Sequence, residues 1–207
     1  GTGWNPITSL DVSNNTALTE FYCLSNQLTS LDVSNNTTLT NLSCLGNQLT
    51  SLDVSNNTAL TEFYCNNNQL TSLDVSNNTA LFRLDCRNNQ LTSLDLRNGN
   101  NTNIPLSTVY INLTNNPQLY CIDVDDATYS DTNWTVANGV ISNWNGFSNN
   151  CATEIYACTD SLAFNYDSTA TFNDGCDYGM TYVSDDNFEQ ALIDLGIDTD
   201  SILDDSV

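Results

Sequence analysis

Two kinds of chemically capable side chain recur at a fixed interval of 21 residues: carboxylates at Asp11, Asp32, Asp53, Asp74 and Asp95, and thiols at Cys23, Cys44, Cys65 and Cys86. Carboxylates suit acid–base chemistry or hard cations, and thiols suit soft metals or redox exchange. The spacing argues against both uses. A fixed period of this length marks a solenoid, one turn per repeat, so like residues fall in files rather than converging on a cleft. Stacked thiols have Cβ atoms ~4.8 Å apart, beyond disulfide reach, and behave as small buried hydrophobes. The chain has no His, no Lys, no nucleophile–base pair and no phosphate-cradling glycine loop. The expectation is that it is not an enzyme.

Charge narrows the partners. Against 25 acidic residues stand three basic ones, Arg83, Arg87 and Arg97, for a net charge of −22 over 207 residues. Such a surface repels phosphate backbones and anionic lipid, which disfavours nucleic acid and membrane surfaces, and it attracts cations. No apolar run approaches the ~20 residues that span a bilayer. The Gly-Thr-Gly start is not a signal peptide, and the chain reads as a piece of a longer secreted protein.

The files require a coil that holds them. Within one period, Leu18-x-x-Phe21-x-Cys23-x-x-Asn26-x-Leu28 has the pattern LxxLxLxxNxL, and Leu28-x-x-Leu31-x-Val33 repeats its first half. Each turn thus carries two short alternating segments, such as 20–23 and 30–33, each with one buried face. Inward positions in one turn are Leu39, Leu42, Cys44, Leu49, Leu52 and Val54, and Asn26, Asn47, Asn68 and Asn89 sit where an amide can satisfy the backbone of its own turn and the next. The Ser-Asn-Asn-Thr segments read as the turns of the coil. Over residues 7–124 the chain resembles the leucine-rich-repeat family, in particular its 21-residue bacterial class with a nested half-period, sometimes called IRREKO. The resemblance implies a mainly β, right-handed solenoid with two short strands per turn and recognition on a strand face.

Outward columns are of two sorts. The Asp file is uniform and flanked by Ser9, Ser30, Ser51, Ser72 and Ser93, with Arg97 placed to terminate it. Neighbouring carboxylates there repel by about 1 kcal/mol in water-like surroundings, to be offset by hydroxyl hydrogen bonds, water or cations. The other face varies: Glu20, Asn41, Glu62 and Arg83 in one column, Tyr22, Ser43, Tyr64 and Asp85 in the next, then Leu24, Leu45, Asn66 and Arg87. Variation within a monotonous repeat, with exposed aromatics as anchors, marks Glu20, Tyr22, Glu62, Tyr64, Arg83, Asp85 and Arg87 as the candidate binding residues.

After Leu94 the period fails. Residues 125–155 are expected to cap the solenoid with Trp134, Val140, Ile141, Trp144 and Phe147. The stretch resembles the C-terminal caps of flavobacterial leucine-rich-repeat proteins. Outside the repeats, Cys121, Cys151, Cys158 and Cys176 are even in number and predict two disulfides; pairing Cys121 with Cys151 and Cys158 with Cys176 closes compact loops, and the sequence leaves crossed pairings open. Residues 156–179 resemble the CTDxxAFNYDxxATxxDGxC linker of secreted Bacteroidetes proteins. Asp160, Asn165, Asp167, Asn173 and Asp174 are close-spaced oxygen ligands suited to calcium, beside the alternative of a disulfide loop with solvated carboxylates. Residues 180–207 carry a helix signature, Ser184 as N-cap and Phe188, Leu192 and Leu195 on one face, and resemble the helical N-terminal cap of a following repeat domain.

The function expected from the sequence is a secreted or cell-surface recognition and adhesion module, calcium-stabilised, with a protein or carbohydrate ligand. A structural spacer and an ice-binding protein are the alternatives.

Overall fold

A computed structural model describes residues 6–105, 109–141, 146–163, 165–173 and 176. The chain divides into two compact units, residues 1–153 and 154–207. The first is a parallel β solenoid. Its strands are three residues long or shorter, as expected when each turn gives only a brief alternating segment to a face: β1 (Glu20–Tyr22), β2 (Asn41–Ser43), β3 (Glu62–Tyr64), β4 (Ser72–Asp74), β5 (Arg83–Asp85), β6 (Ser93–Asp95), β7 (Ile111–Asn112), β8 (Cys121–Asp123) and β9 (Gly146–Ser148).

They form two parallel sheets. The first has the order β1-β2-β3-β5-β7 and the second β4-β6-β8-β9. Register follows the repeat: Glu20 pairs with Asn41, Asn41 with Glu62 and Glu62 with Arg83. The sequence predicts two strands in every turn, but the second sheet has its first strand only at Ser72. Earlier turns keep the burial alternation, with Leu31, Val33, Leu52 and Val54 inside and Asp32 and Asp53 outside. Their rungs stand further apart there: Thr71 N reaches Thr50 O at 3.4 Å, whereas Thr92 N reaches Thr71 O at 2.9 Å.

The interior is a set of apolar files. Leu42, Phe63, Leu84 and Ile111 stack in one, and Leu73, Leu94 and Ile122 in another. The four repeat cysteines are buried free thiols. Cys23 and Cys44 donate Sγ–H to Ser43 O and Tyr64 O of the following turn, at 3.6 and 3.7 Å. Burial pushes the Cys23 thiol up to about 11 and raises Cys44, Cys65 and Cys86 further.

Asparagine amides satisfy the corners. Asn68 Nδ2 donates to Cys65 O of its own turn at 3.0 Å and to Cys44 O of the preceding turn at 3.1 Å, while Leu49 N donates to Asn68 Oδ1 at 3.0 Å. Asn26, Asn47, Asn89 and Asn116 also accept from a backbone N–H one turn back and donate to a carbonyl of their own turn. The inter-turn link therefore runs to the preceding turn rather than the following one. The residue before each of these amides is left-handed, at Ser25, Gly46, Asn67, Asn88 and Asn115, with φ between 52° and 70°. Gly and Asn enter that region at least cost.

A second asparagine file was hidden in the turn segments. Asn57 Nδ2 donates to Val33 O and Asn36 O of the preceding turn, at 3.0 and 2.9 Å, and Asn36 and Asn78 do the same. Their Oδ1 atoms are buried with no partner among the described residues, so this file is satisfied on its donor side only.

The cap closes the last turn. Cys121 is bonded to Cys151, β9 adds a strand beyond β8, and Trp134 meets Phe147 edge-on at 5.8 Å. Trp134, Val140, Ile141 and Phe147 are buried as expected, while Trp144 lies outside the described residues. The cap also holds a helix the sequence reading did not anticipate, α1 (Ala127–Asn133), whose N-cap Asp126 accepts from Tyr129 N at 2.9 Å.

In the second unit, β10 (Tyr156–Ala157) pairs in parallel with β11 (Phe172–Asn173), and Cys158 is bonded to Cys176. Both disulfides thus take the compact pairing. The helix expected within 180–207 lies outside the described residues.

Removing the Asn68 amide leaves Leu49 N without its partner and takes one amide bond from each of Cys44 O and Cys65 O, which keep those from Asn47 and Asn89; the orphaned N–H costs ~1–3 kcal/mol and each lost bond ~0.5–1.5 kcal/mol. Asn68→Ala is therefore expected to destabilise by about 3 kcal/mol or more, and Asn68→Asp, which loses both donors, by at least as much. Denaturant midpoints of the two variants against the parent chain measure this.

Candidate functional site

The seven candidate binding residues fall on one surface, the outward face of the first sheet. Glu20 and Tyr22 lie on β1, Glu62 and Tyr64 on β3, Arg83 and Asp85 on β5, and Arg87 just beyond it. Alternation turns Phe21, Phe63 and Leu84 toward the interior, and so presents their neighbours on the other face.

Two Glu–Tyr pairs repeat two rungs apart. Tyr22 Oη donates to Glu20 Oε2 at 3.2 Å, and Tyr64 Oη donates to Glu62 Oε2 at 2.8 Å. Burial and the neighbouring glutamate raise the Tyr22 phenol; burial raises Tyr64 as well, partly opposed by Arg83. Arg83 completes the lower pair, its Nη1 donating to Glu62 Oε2 at 3.2 Å and to Tyr64 Oη at 3.0 Å. Its guanidinium also lies 5.0 Å from the Tyr110 ring centre and 5.9 Å from that of Phe82. These distances are within cation–π range. Phe82 and Tyr110 were missed by the sequence reading. Tyr110 belongs to the rung after β5, where the step lengthens from 21 to 27 residues (Leu84 to Ile111) and the column can no longer be counted off.

Asp85 and Arg87 form their own ion pair, Oδ2 to Nε at 3.4 Å. Burial raises the Asp85 carboxyl, and the Arg87 backbone hydrogen bond and charge oppose that rise. Exposed apolar surface on this side comes from Tyr22, at 53% exposure, and Leu24, at 43%. Ser43, between the two tyrosines in its file, is only 3% exposed, and Asn41 on the same rung hydrogen-bonds Tyr22.

The Asp file occupies the opposite side. Asp11, Asp32, Asp53 and Asp74 each accept from the backbone N–H two residues on, at 2.8–2.9 Å. Hydroxyl and backbone hydrogen bonds from Ser13, Ser34 and Ser55 hold Asp11, Asp32 and Asp53 below the usual carboxylate range, against a smaller upward push from the preceding carboxylate on Asp32 and Asp53. Arg97 ends the file, pairing with Asp95 and, at 3.6 Å, with Asp123. All three arginines are therefore held by carboxylates of their own chain.

The calcium candidates are only partly described. Asp160 Oδ1 accepts from Leu162 N at 2.9 Å, and Asp167 Oδ1 accepts from Thr169 N and Oγ1 at 2.8 and 2.6 Å; Thr169 holds Asp167 below the usual range. Asp167 N bonds Cys158 O at 2.9 Å, which places it beside the disulfide, and Asn165 is exposed. Asp174 and the side chain of Asn173 lie outside the described residues. Among the described residues no three His, Cys, Asp or Glu side chains gather as a metal would require.

The file of carboxylates gives a direct test of what opposes its repulsion. Asp53→Asn keeps an Oδ1 acceptor for Ser55 N but gives up the charge that the Ser55 bonds favour over the repulsion from Asp32, so its denaturation midpoint is expected to equal that of the parent or fall slightly below it. Asp53→Ala loses the acceptor and is expected to fall below the Asn variant by less than about 1 kcal/mol, as befits an exposed site.

No protein-family model matches the chain, and no curated protein does. Among solved structures it is similar to the functional domain of InlJ from Listeria monocytogenes, described as including a cysteine ladder. The match has 35% identity and a TM-score of 0.45, and it covers 57% of this chain and 29% of that one. The repeats and the two parallel sheets make the present chain a leucine-rich-repeat-like solenoid.

Proposed function

We propose that the chain is a secreted or cell-surface recognition and adhesion module whose ligand, a protein or glycan, docks on the outward face of the first sheet. One observation carries the reading. The interior, the corners and the Asp file are nearly uniform from turn to turn, whereas the first sheet changes its outward side chains and concentrates Tyr22, Tyr64, Phe82, Arg83 and Tyr110 there. Rigid aromatics and a pre-positioned arginine contribute binding energy at low entropic cost. Two disulfides accord with export, and no helix among the described residues is long and apolar enough to cross a membrane. A net charge of −22 argues against nucleic acid as the partner.

A protein and glycan array, with and without calcium, is expected to return a ligand whose affinity drops at least about tenfold when Tyr22, Tyr64 and Arg83 are replaced together by Ser, Ser and Ala. Unchanged affinity in that variant overturns the reading and leaves a spacer role, which depends on none of the three.

Calcium as a structural partner of the 156–179 segment belongs to the same proposal, supported by the carboxylates of Asp160 and Asp167 in one disulfide-closed loop. The melting temperature is then expected to be higher with millimolar calcium than with chelator, because a ligand of the native state stabilises it by mass action. Equal melting temperatures remove the metal from the proposal.

A further inference from the structure

One run of residues takes two forms in this chain. Leu-Thr-Ser-Leu-Asp-Val-Ser-Asn-Asn-Thr occurs at 28–37, at 49–58 and at 70–79. Only the third copy forms a strand of the second sheet, β4, in register with β6. The backbone bonds between rungs tighten along the file. None joins 29–33 to 50–54 among the described residues. Thr71 N reaches Thr50 O at 3.4 Å, and one rung on Thr92 N reaches Thr71 O at 2.9 Å and Val75 N reaches Asp95 O at 3.0 Å. Solvent follows the gaps: Leu31 and Leu52 are 9% and 8% exposed, Leu73 and Leu94 only 3% and 1%. A groove of about 260 Å³ lies between the loosely joined rungs, lined by Ser51, Leu52, Asp53, Ser55, Ser72 and Asp74. The first sheet is laddered through the same turns, so the spreading is confined to the Asp side.

Identical copies that pair differently place the cause outside themselves. What changes is the rung that follows: 91–100 carries Leu96 and Arg97 where the copies have Val and Ser. A longer side chain inside the coil holds rungs apart, so Leu96 does not explain the closure. Arg97 does. It pairs with Asp95 and Asp123, and Asp74 adds to the field that holds its charge. Asp11, Asp32 and Asp53 have no basic partner among the described residues, and Asp32 and Asp53 each feel the carboxylate one rung before. Like charges directly opposite on neighbouring strands oppose pairing. We infer that the Asp file is a charge-operated closure: repulsion among its uncompensated carboxylates holds the second sheet open over the first turns, and screening or neutralising them extends the ladder from β4 toward Asp11. A Debye length of ~10 Å at 0.1 M salt leaves neighbouring rungs unscreened, whereas ~3 Å at 1 M falls below their spacing. Nothing in this device depends on what the first sheet binds, but the turns that open and close carry β1, β2 and β3 on their other side.

The test is amide hydrogen exchange on the whole chain, read by NMR. Val54 N is the reporter, because it holds the position from which Val75 N bonds the next rung; Cys44 N, bonded to Tyr64 O of the first sheet at 2.9 Å, is the control. At low salt Val54 N is expected to exchange at least about tenfold faster than Val75 N. Replacing Asp32 and Asp53 together by Asn keeps both Oδ1 acceptors, removes two charges and is expected to slow Val54 N about tenfold while Cys44 N stays unchanged. About 1 M sodium chloride on the parent chain is expected to do the same without adding an amide donor. Ser76→Arg moves the position of Arg97 one rung back, beside Asp74, and is expected to protect Val54 N at low salt.

Equal exchange at Val54 and Val75 in the parent chain overturns the inference, as does protection gained equally by Cys44, which reports a global change in stability. Val54 unmoved by neutralisation, by salt and by Ser76→Arg also overturns it, and assigns the closed rungs to the cap, whose disulfide and β9 steady the later turns. Protection that appears in the Asn variant but not in salt overturns it as well, since amide bonds between rungs then account for the closure. The two variants differ in sign of charge introduced and in side chain, so misfolding of one leaves the other and the salt series to decide.

Discussion

The structure depends on one contact, repeated: an asparagine amide that ties each corner of the coil to the turn before it. At the end of every strand of the first sheet the chain bends inward, which leaves a backbone N–H and two carbonyls buried where no ladder can pair them. Asn47, Asn68, Asn89 and Asn116 satisfy all three groups with a single side chain. No other residue type offers two donors and an acceptor at so short a reach. The geometry is demanding, since the preceding residue must enter the left-handed region, and Asn67, Asn88 and Asn115 do so. Each amide bond to the preceding turn also fixes its register, and register decides which side chains face outward.

Much of this could be read from the letters. The 21-residue spacing alone places the buried files, the thiols and the Asp column, because a solenoid turns period directly into position. The two disulfide pairings were legible as the compact option. What stayed hidden was wherever period ends or does double duty. The asparagines of the Ser-Asn-Asn-Thr segments look like ordinary turn formers, yet Asn36, Asn57 and Asn78 form a second buried file. The longer step from Leu84 to Ile111 concealed Tyr110 as a neighbour of Arg83. Helix α1 was missed because seven residues carry too little apolar periodicity to register, although Asp126 is an ordinary N-cap.

The candidate site follows from a division of labour. Uniform residues hold the scaffold, so the outward positions of the first sheet are free to differ without cost to stacking. There the chain has spent two of its three arginines. Arg83 reaches across from its rung to the Glu62–Tyr64 pair and packs between Phe82 and Tyr110, which makes that end of the face stiff and largely neutral. Two rungs away the Glu20–Tyr22 pair has Asn41 in place of an arginine, and Tyr22 stands exposed. A single face thus carries an arginine-stiffened aromatic platform at one end and an exposed tyrosine at the other.

The buried thiols carry a consequence for biogenesis. A freshly made chain of this sequence holds eight cysteines, which can be joined in roughly 100 complete ways. The native state joins four and leaves four reduced. Once a turn has stacked, its sulfur is shielded from oxidant and held as the unreactive neutral form, so winding of the coil must outrun oxidation. Such a chain is better served by compaction that proceeds along the solenoid as it emerges than by release of an extended, fully reduced polypeptide into an oxidising compartment.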